Sequence, residues 1–135
     1  ESAEDRLEKT YQTMIYREQQ RSKINMPVYL ILQDAKWLYG DLPAQLQDKL
    51  LELLQRGHQV DIYITIAGEH NTINAGYGSL KKGIKTIGHI LLLMKATDQS
   101  LITTSIKSYR EENVAKDEGY FVSDGHAEKV KVASL

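Results

Sequence analysis

Two apolar runs with a leucine-striped segment between them constrain this chain more than any other feature. Pro27-Val28-Tyr29-Leu30-Ile31-Leu32 is continuously apolar, partly β-branched and aromatic, and stops at Gln33. Such runs occupy strands covered on both faces. Val60, Ile62, Ile64 and Ile66 alternate with Asp61, Tyr63 and Thr65, which is the period of a second strand. Between them, Asp41-Leu42-Pro43 places proline at the first turn of a helix whose Leu46, Leu50, Leu53 and Leu54 share one face until Gly57 ends it. A strand, a helix and a strand joined at this length allow parallel pairing. The fold class is therefore α/β.

The rest of the chain extends that core. Ser2 followed by Asp5 resembles a capping box, and Leu7, Tyr11, Met14 and Ile15 recur at helical spacing, predicting an amphipathic helix from about Ala3 to Gln20. Gly68 to Lys85 is rich in glycine and asparagine, with room for one short helix around Ser79 to Lys82. Ile87 to Met94 predicts a third strand and Leu101 to Ile106 a fourth. Tyr109 to Glu118 is charged and predicts a solvated connection. Tyr120-Phe121-Val122 and Lys129-Val130-Lys131-Val132 flank Asp124-Gly125, predicting a terminal hairpin. No linker or repeat interrupts the 135 residues, so a single domain over 1–135 is expected.

Charge and composition narrow the chemistry. The 17 basic and 18 acidic residues leave a net charge of -1, too little positive field to hold a nucleic-acid backbone, so no nucleic acid is expected. Without cysteine there are no disulfides, thiolate metal sites or thiol nucleophiles. The longest apolar stretch, Ile87 to Met94, is interrupted by Gly88 and His89 and falls far below the roughly 20 residues of a membrane helix. His58, His70, His89 and His126 lie far apart and offer no metal-binding spacing on one helix face.

Gly78-Ser79-Leu80-Lys81-Lys82-Gly83-Ile84-Lys85-Thr86 approaches a phosphate-binding loop, but Ile84 separates the second glycine from the lysine. It reads as a basic surface turn running into a strand. More informative is Gln33-Asp34 at the end of the first strand, because open α/β sheets meet their ligands at the carboxyl ends of strands. Magnesium held through a nucleotide needs a carboxylate there, and Gln33 brings no charge. Trp37, Leu38 and Tyr39 follow directly. They form either a partner contact or an aromatic loop folded on its own core.

The order of these pieces resembles the FtsK/SpoIIIE family of P-loop motors, from the helix before the Walker B strand to the end of the domain. The matching features are Tyr11 to Lys23, Val28 to Leu32 closed by Gln33-Asp34, Leu46 to Arg56, Gly57, and Val60 to Ile66. Gln33 stands at the Walker B aspartate position and Asp34 at the glutamate position. Ala67-Gly68-Glu69 replaces the polar sensor. Glu118 to His126, followed by Glu128 to Val132, is similar to the closing hairpin of the third ATPase domain in the EssC/Yuk-type membrane proteins of type VII secretion.

The resemblance implies a P-loop NTPase (RecA/FtsK-like) three-layer domain with a C-terminal β-hairpin, incomplete at its N-terminus because the phosphate-loop strand is missing. It implies a degenerate, non-hydrolysing module, with Gln33 and Asp34 as the vestigial nucleotide site; Trp37, Leu38 and Tyr39 are the partner-contact candidates that residue type alone offers. The chain itself then carries no cofactor, while ATP and magnesium belong to the parent protein. Partners would be secreted type VII substrates and neighbouring ATPase domains, in an oligomer formed through the parent at the cytoplasmic face of the cell membrane. Two rivals stand beside it: a weak ATPase completed by an upstream phosphate loop, and a DNA translocase.

Overall fold

The computed structural model describes residues 1–20, 25–104, 106, 111 and 113–133. They fall into two compact units, Glu1–Ile84 and Lys85–Leu135.

In the first unit, α1 (Ala3–Gln20) starts where the sequence signals it: Ser2 Oγ accepts from the Asp5 amide at 3.1 Å, and Asp5 Oδ2 accepts from the Ser2 amide at 3.3 Å. Strand β1 (Val28–Leu32) and strand β2 (Ile62–Ile66) pair in parallel, Val28 opposite Ile62 and Leu32 opposite Ile66. Helix α2 (Ala44–Arg56) forms the crossover, with Pro43 as its N-cap. Leu7 and Met14 of α1 and Leu50 and Leu53 of α2 are fully enclosed, and the two helices pack together. Burying each such side chain stabilises by about 1.5–3 kcal/mol before entropy is counted.

Long-range polar contacts hold this layer in register. The Arg17 guanidinium donates to Val60 O at 2.9 Å and to Met26 O at 2.7 Å, tying the end of α1 to the entrances of both strands. Lys49 Nζ donates to both carboxylate oxygens of Glu8, at 2.6 and 2.8 Å, joining α2 to α1.

Strand β1 corrects one sequence expectation. A continuous apolar run suggests cover on both faces, yet Tyr29 is 70 % and Ile31 60 % exposed, while Leu32 is buried. Tyr63, the register partner of Tyr29, stacks on it with ring centroids 5.4 Å apart, and both rings stand on the open face.

After β2 come two short helices, α3 (His70–Asn74) and α4 (Ser79–Lys85). The expected basic turn from Gly78 to Thr86 is thus mostly helical. Leu80 and Ile84, four residues apart, bury a common face, and Lys81 Nζ donates to Asn74 O.

The second unit is an antiparallel sheet, β3 (His89–Leu92), β4 (Glu118–Ser123) and β5 (His126–Lys131), in the order β3-β4-β5. Asp124 (φ 50°) and Gly125 (φ 86°) form the two-residue turn between β4 and β5, both left-handed as a type I′ hairpin requires. Its core is Leu92, Ala96, Tyr120 and Val122.

The fourth strand expected over Leu101 to Ile106 does not form in residues 101–104 and 106; residue 105 lies outside the described ones. The Gln99 side chain explains why. Its oxygen accepts from the amides of Leu101 and Ile102, and its Nε2 donates to Ala96 O and Ile102 O. Those backbone groups are no longer available to a ladder.

Of the charged stretch from Tyr109 to Glu118, residues 109, 110 and 112 lie outside the described ones. Glu111 is not merely solvated. Its carboxylate accepts from the amides of Ala96 (2.6 Å) and Thr97 (3.1 Å) and from the Thr97 hydroxyl. Burial resists its ionisation, but these bonds prevail and hold it below the usual carboxylate range.

Candidate functional site

Parallel pairing puts the carboxyl ends of β1 and β2 side by side, and the Ala67 amide donates to Leu32 O at 2.9 Å to close that end. The segments leaving these two strands build the candidate site.

Gln33 and Asp34 emerge first, both exposed. Asp34 is left-handed (φ 56°, ψ 75°), a conformation a side chain adopts at some cost and aspartate tolerates better than most. It swings the chain into a 3-10 turn at Ala35–Trp37. The Trp37 indole N–H donates back to Gln33 O at 3.4 Å and its ring is half-buried. Leu38 is 0 % exposed and belongs to the core. Tyr39 is half-buried, its hydroxyl donates to Ile73 O at 2.8 Å, and burial pushes its phenol above the ordinary value. The sequence-expected residues therefore sit on consecutive turns but divide by environment: Gln33 and Asp34 face solvent, Trp37 and Tyr39 are anchored by hydrogen bonds, and Leu38 is enclosed.

The segment after β2 supplies the opposite side. Ala67, Gly68 and Glu69 are exposed, and Glu69 leads into α3. Between the two segments lies an open cleft of about 400 Å³, lined by Lys36 and Tyr39 from one side and by Asn71, Thr72, Gly76 and Tyr77 from the other. Tyr77 projects from its rim, 88 % exposed. The sequence did not mark Lys36, Asn71, Thr72 or Tyr77. The usable signal was Gly76-Tyr77-Gly78, an aromatic between two glycines that alternation and motif spacing pass over.

Among the described residues no three histidine, cysteine, aspartate or glutamate side chains gather as metal ligands would. No helix among them is long and apolar enough to cross a membrane.

No family model matches the chain. It is 26 % identical over 105 residues to the ESX secretion system protein YukB of Bacillus subtilis (strain 168), an alignment covering 78 % of this chain. It is 22 % identical over 109 residues to the ESX secretion system protein EccC of Geobacillus thermodenitrificans (strain NG80-2), covering 81 %. Its homologues are the EssC, YukB and EccC proteins of type VII secretion. The chain spans 7 % of the length of either of these two curated secretion proteins.

Two solved EssC structures share the fold. The structure of EssC ATPases 2 and 3 from Geobacillus thermodenitrificans superposes with a TM-score of 0.82 at 20 % identity, over 99 % of this chain and 27 % of that one. The cytoplasmic domain of EssC superposes with a TM-score of 0.68 at 19 % identity, over 98 % of this chain and 26 % of that one. The α/β arrangement of helices and sheets is thus similar to that of EssC ATPase domains.

Proposed function

We propose that the chain is a non-hydrolysing module of a type VII secretion motor, which recruits secreted substrates or regulates neighbouring ATPase domains. The observation that carries this is the end of β1. Gln33 stands where a motor of the FtsK/SpoIIIE type needs a charged carboxylate, and the one carboxylate beside it, Asp34, is exposed on a left-handed turn. A neutral amide cannot replace the charge that holds magnesium against a triphosphate. These residues therefore fit an ATP–magnesium pair poorly, and no catalytic step is assigned to them.

On this proposal residues 1–135 are one degenerate domain of the P-loop, three-layer kind whose Walker A segment lies outside them. The open face of the β1–β2 sheet supports it, since parallel sheets are ordinarily covered on both sides and Tyr29, Ile31 and Tyr63 are not. Membrane attachment and oligomerisation belong to the parent protein on the same proposal. Recruitment uses the surface beyond the strand ends, where Trp37 and Tyr39 are held in place and Tyr77 projects. Aromatic side chains fixed in this manner are the usual anchors of protein interfaces.

Calorimetric titration of ATP with magnesium, into the chain alone and into its parent protein with the other nucleotide sites inactivated, tests the proposal. No saturable heat is expected from either. Micromolar, magnesium-dependent binding that disappears with Asp34→Asn would replace the adaptor with a working ATPase.

A further inference from the structure

We propose that the segments following β1 and β2 are locked into a single rigid body by two glycine seats, so that the cleft between them keeps its shape with no ligand present. This goes beyond the assignment to secretion and does not depend on it.

The seats lie at opposite ends of the contact. At Gly68, just past β2, a Cβ would stand 2.9 Å from the Ala35 methyl and 3.4 Å from both the Ala35 amide nitrogen and Ile73 Cδ1, so a side chain there would push Ala35 away. At Gly76, a Cβ would fall within the ring of Tyr39, well inside contact distance of three of its carbons. The Tyr39 ring is therefore seated on a bare backbone, and its hydroxyl reaches on to Ile73 O at 2.8 Å. Neither Gly68 nor Gly76 has a positive φ. Conformational freedom is not what calls for glycine at these positions; the closeness of the other segment is.

Loops that open and close at strand ends need room to slide or hinge past one another. A ring seated on a glycine and bonded at its far end lacks that room. The segment 35–39 and the segment 68–76 therefore move together or not at all. Lys36 on one side of the cleft and Asn71, Thr72 and Tyr77 on the other are held at a fixed spacing. A partner entering the cleft meets a surface already ordered, which lowers the entropy cost of binding.

Amide hydrogen exchange in the full chain tests the lock. Leu38 (amide to Ala35 O, 3.1 Å) and Leu42 (amide to Trp37 O, 2.9 Å) report on the first segment, and Ile73 (amide to Glu69 O, 3.0 Å) on the second. Gly76→Ala, made in the second segment, should speed exchange at Leu38 and Leu42 as well as at Ile73, by roughly an order of magnitude, with the β1–β2 ladder unchanged. Emission from Trp37, the only tryptophan, should shift to the red. Tyr39→Ala, made in the first segment with Gly76 intact, should speed Ile73 by a similar factor, and it decides the matter if Gly76→Ala does not fold. Tyr39→Phe keeps the ring seated and should leave Leu38 protected. Faster exchange confined to whichever segment carries the substitution, the other keeping its rate, would overturn the lock.

Discussion

The two faces of the β1–β2 sheet differ in what the sequence around them can supply. On one, the side chains at 28, 30, 32, 62, 64 and 66 turn inward, Leu32 and Ile62 buried and the rest half-buried, and α2 packs against β2. On the other, Tyr29, Ile31, Tyr63 and Thr65 stand in solvent, with a stacked tyrosine pair as their main mutual contact. The inward residues are all aliphatic, and the outward set still includes Ile31 and two tyrosine rings. What separates them is that, among the described residues, α2 packs against the inward side with α1 packed on α2, while Tyr29, Ile31 and Tyr63 on the other side stay exposed. Apolar character states which side chains are able to be buried; burial itself requires a partner layer.

A matched pair of substitutions separates the two faces. Leu53→Ala, on the enclosed side, should lower stability by about 2–5 kcal/mol through lost contacts and a residual cavity. Ile31→Thr, on the open side, should change the chain's stability by no more than about 0.5 kcal/mol. Urea denaturation of both variants gives the two numbers, and equal costs would mean that the open face is covered in solution. A smaller effect is expected where the enclosed side is fastened at its margin. Arg17→Met deprives Met26 O and Val60 O of a shared charged donor and should cost about 1–3 kcal/mol. Recovery of full stability by Arg17→Lys would show that charge alone suffices and the forked geometry does not matter.

The smallest effect concerns charge between the helices. The bonds from Lys49 and then Gln12 hold the Glu8 carboxyl below its ordinary value. A carboxylate lowered in the folded state contributes stability at neutral pH and loses it as the pH falls through that lowered value. Glu8→Gln should therefore flatten the acid side of the stability profile slightly and leave the enclosed core unaffected. A pH series of thermal melts checks it; a collapse of α1 on Glu8→Gln would mean that charge, not Leu7 and Met14, seats that helix.

These contrasts follow the line between what was legible in the sequence and what was not. The alternation from Val60 to Ile66, the leucine stripe of α2, the Ser2–Asp5 cap and the Asp124-Gly125 turn are local patterns, and each produced the element it announced. Gln33 and Asp34 could be placed at the strand end for the same reason. The Arg17 clasp and the glycine seats beneath Ala35 and Tyr39 could not, because each depends on an atom whose neighbour is set by folding rather than by spacing; the Gln99 side chain that captures the backbone after Ala96 is local, but its apolar neighbours Leu101 and Ile102 read as a strand. Leu38 shows the limit most plainly. Within an aromatic triplet it is indistinguishable as an anchor, and only the closing of the turn around it makes it core.

The outer rim of the second sheet carries a consequence for crowded solutions. Strand β5 carries Glu128, Lys129 and Lys131, with Lys129 paired to Glu118 and Lys131 to Asp117. Another polypeptide docking its backbone along that border would have to strip water from these ions and part them from their mates, so the border resists growth into fibrils. Polymerisation is discouraged there by hydration, along an edge strand that a stray chain would otherwise find ready-made.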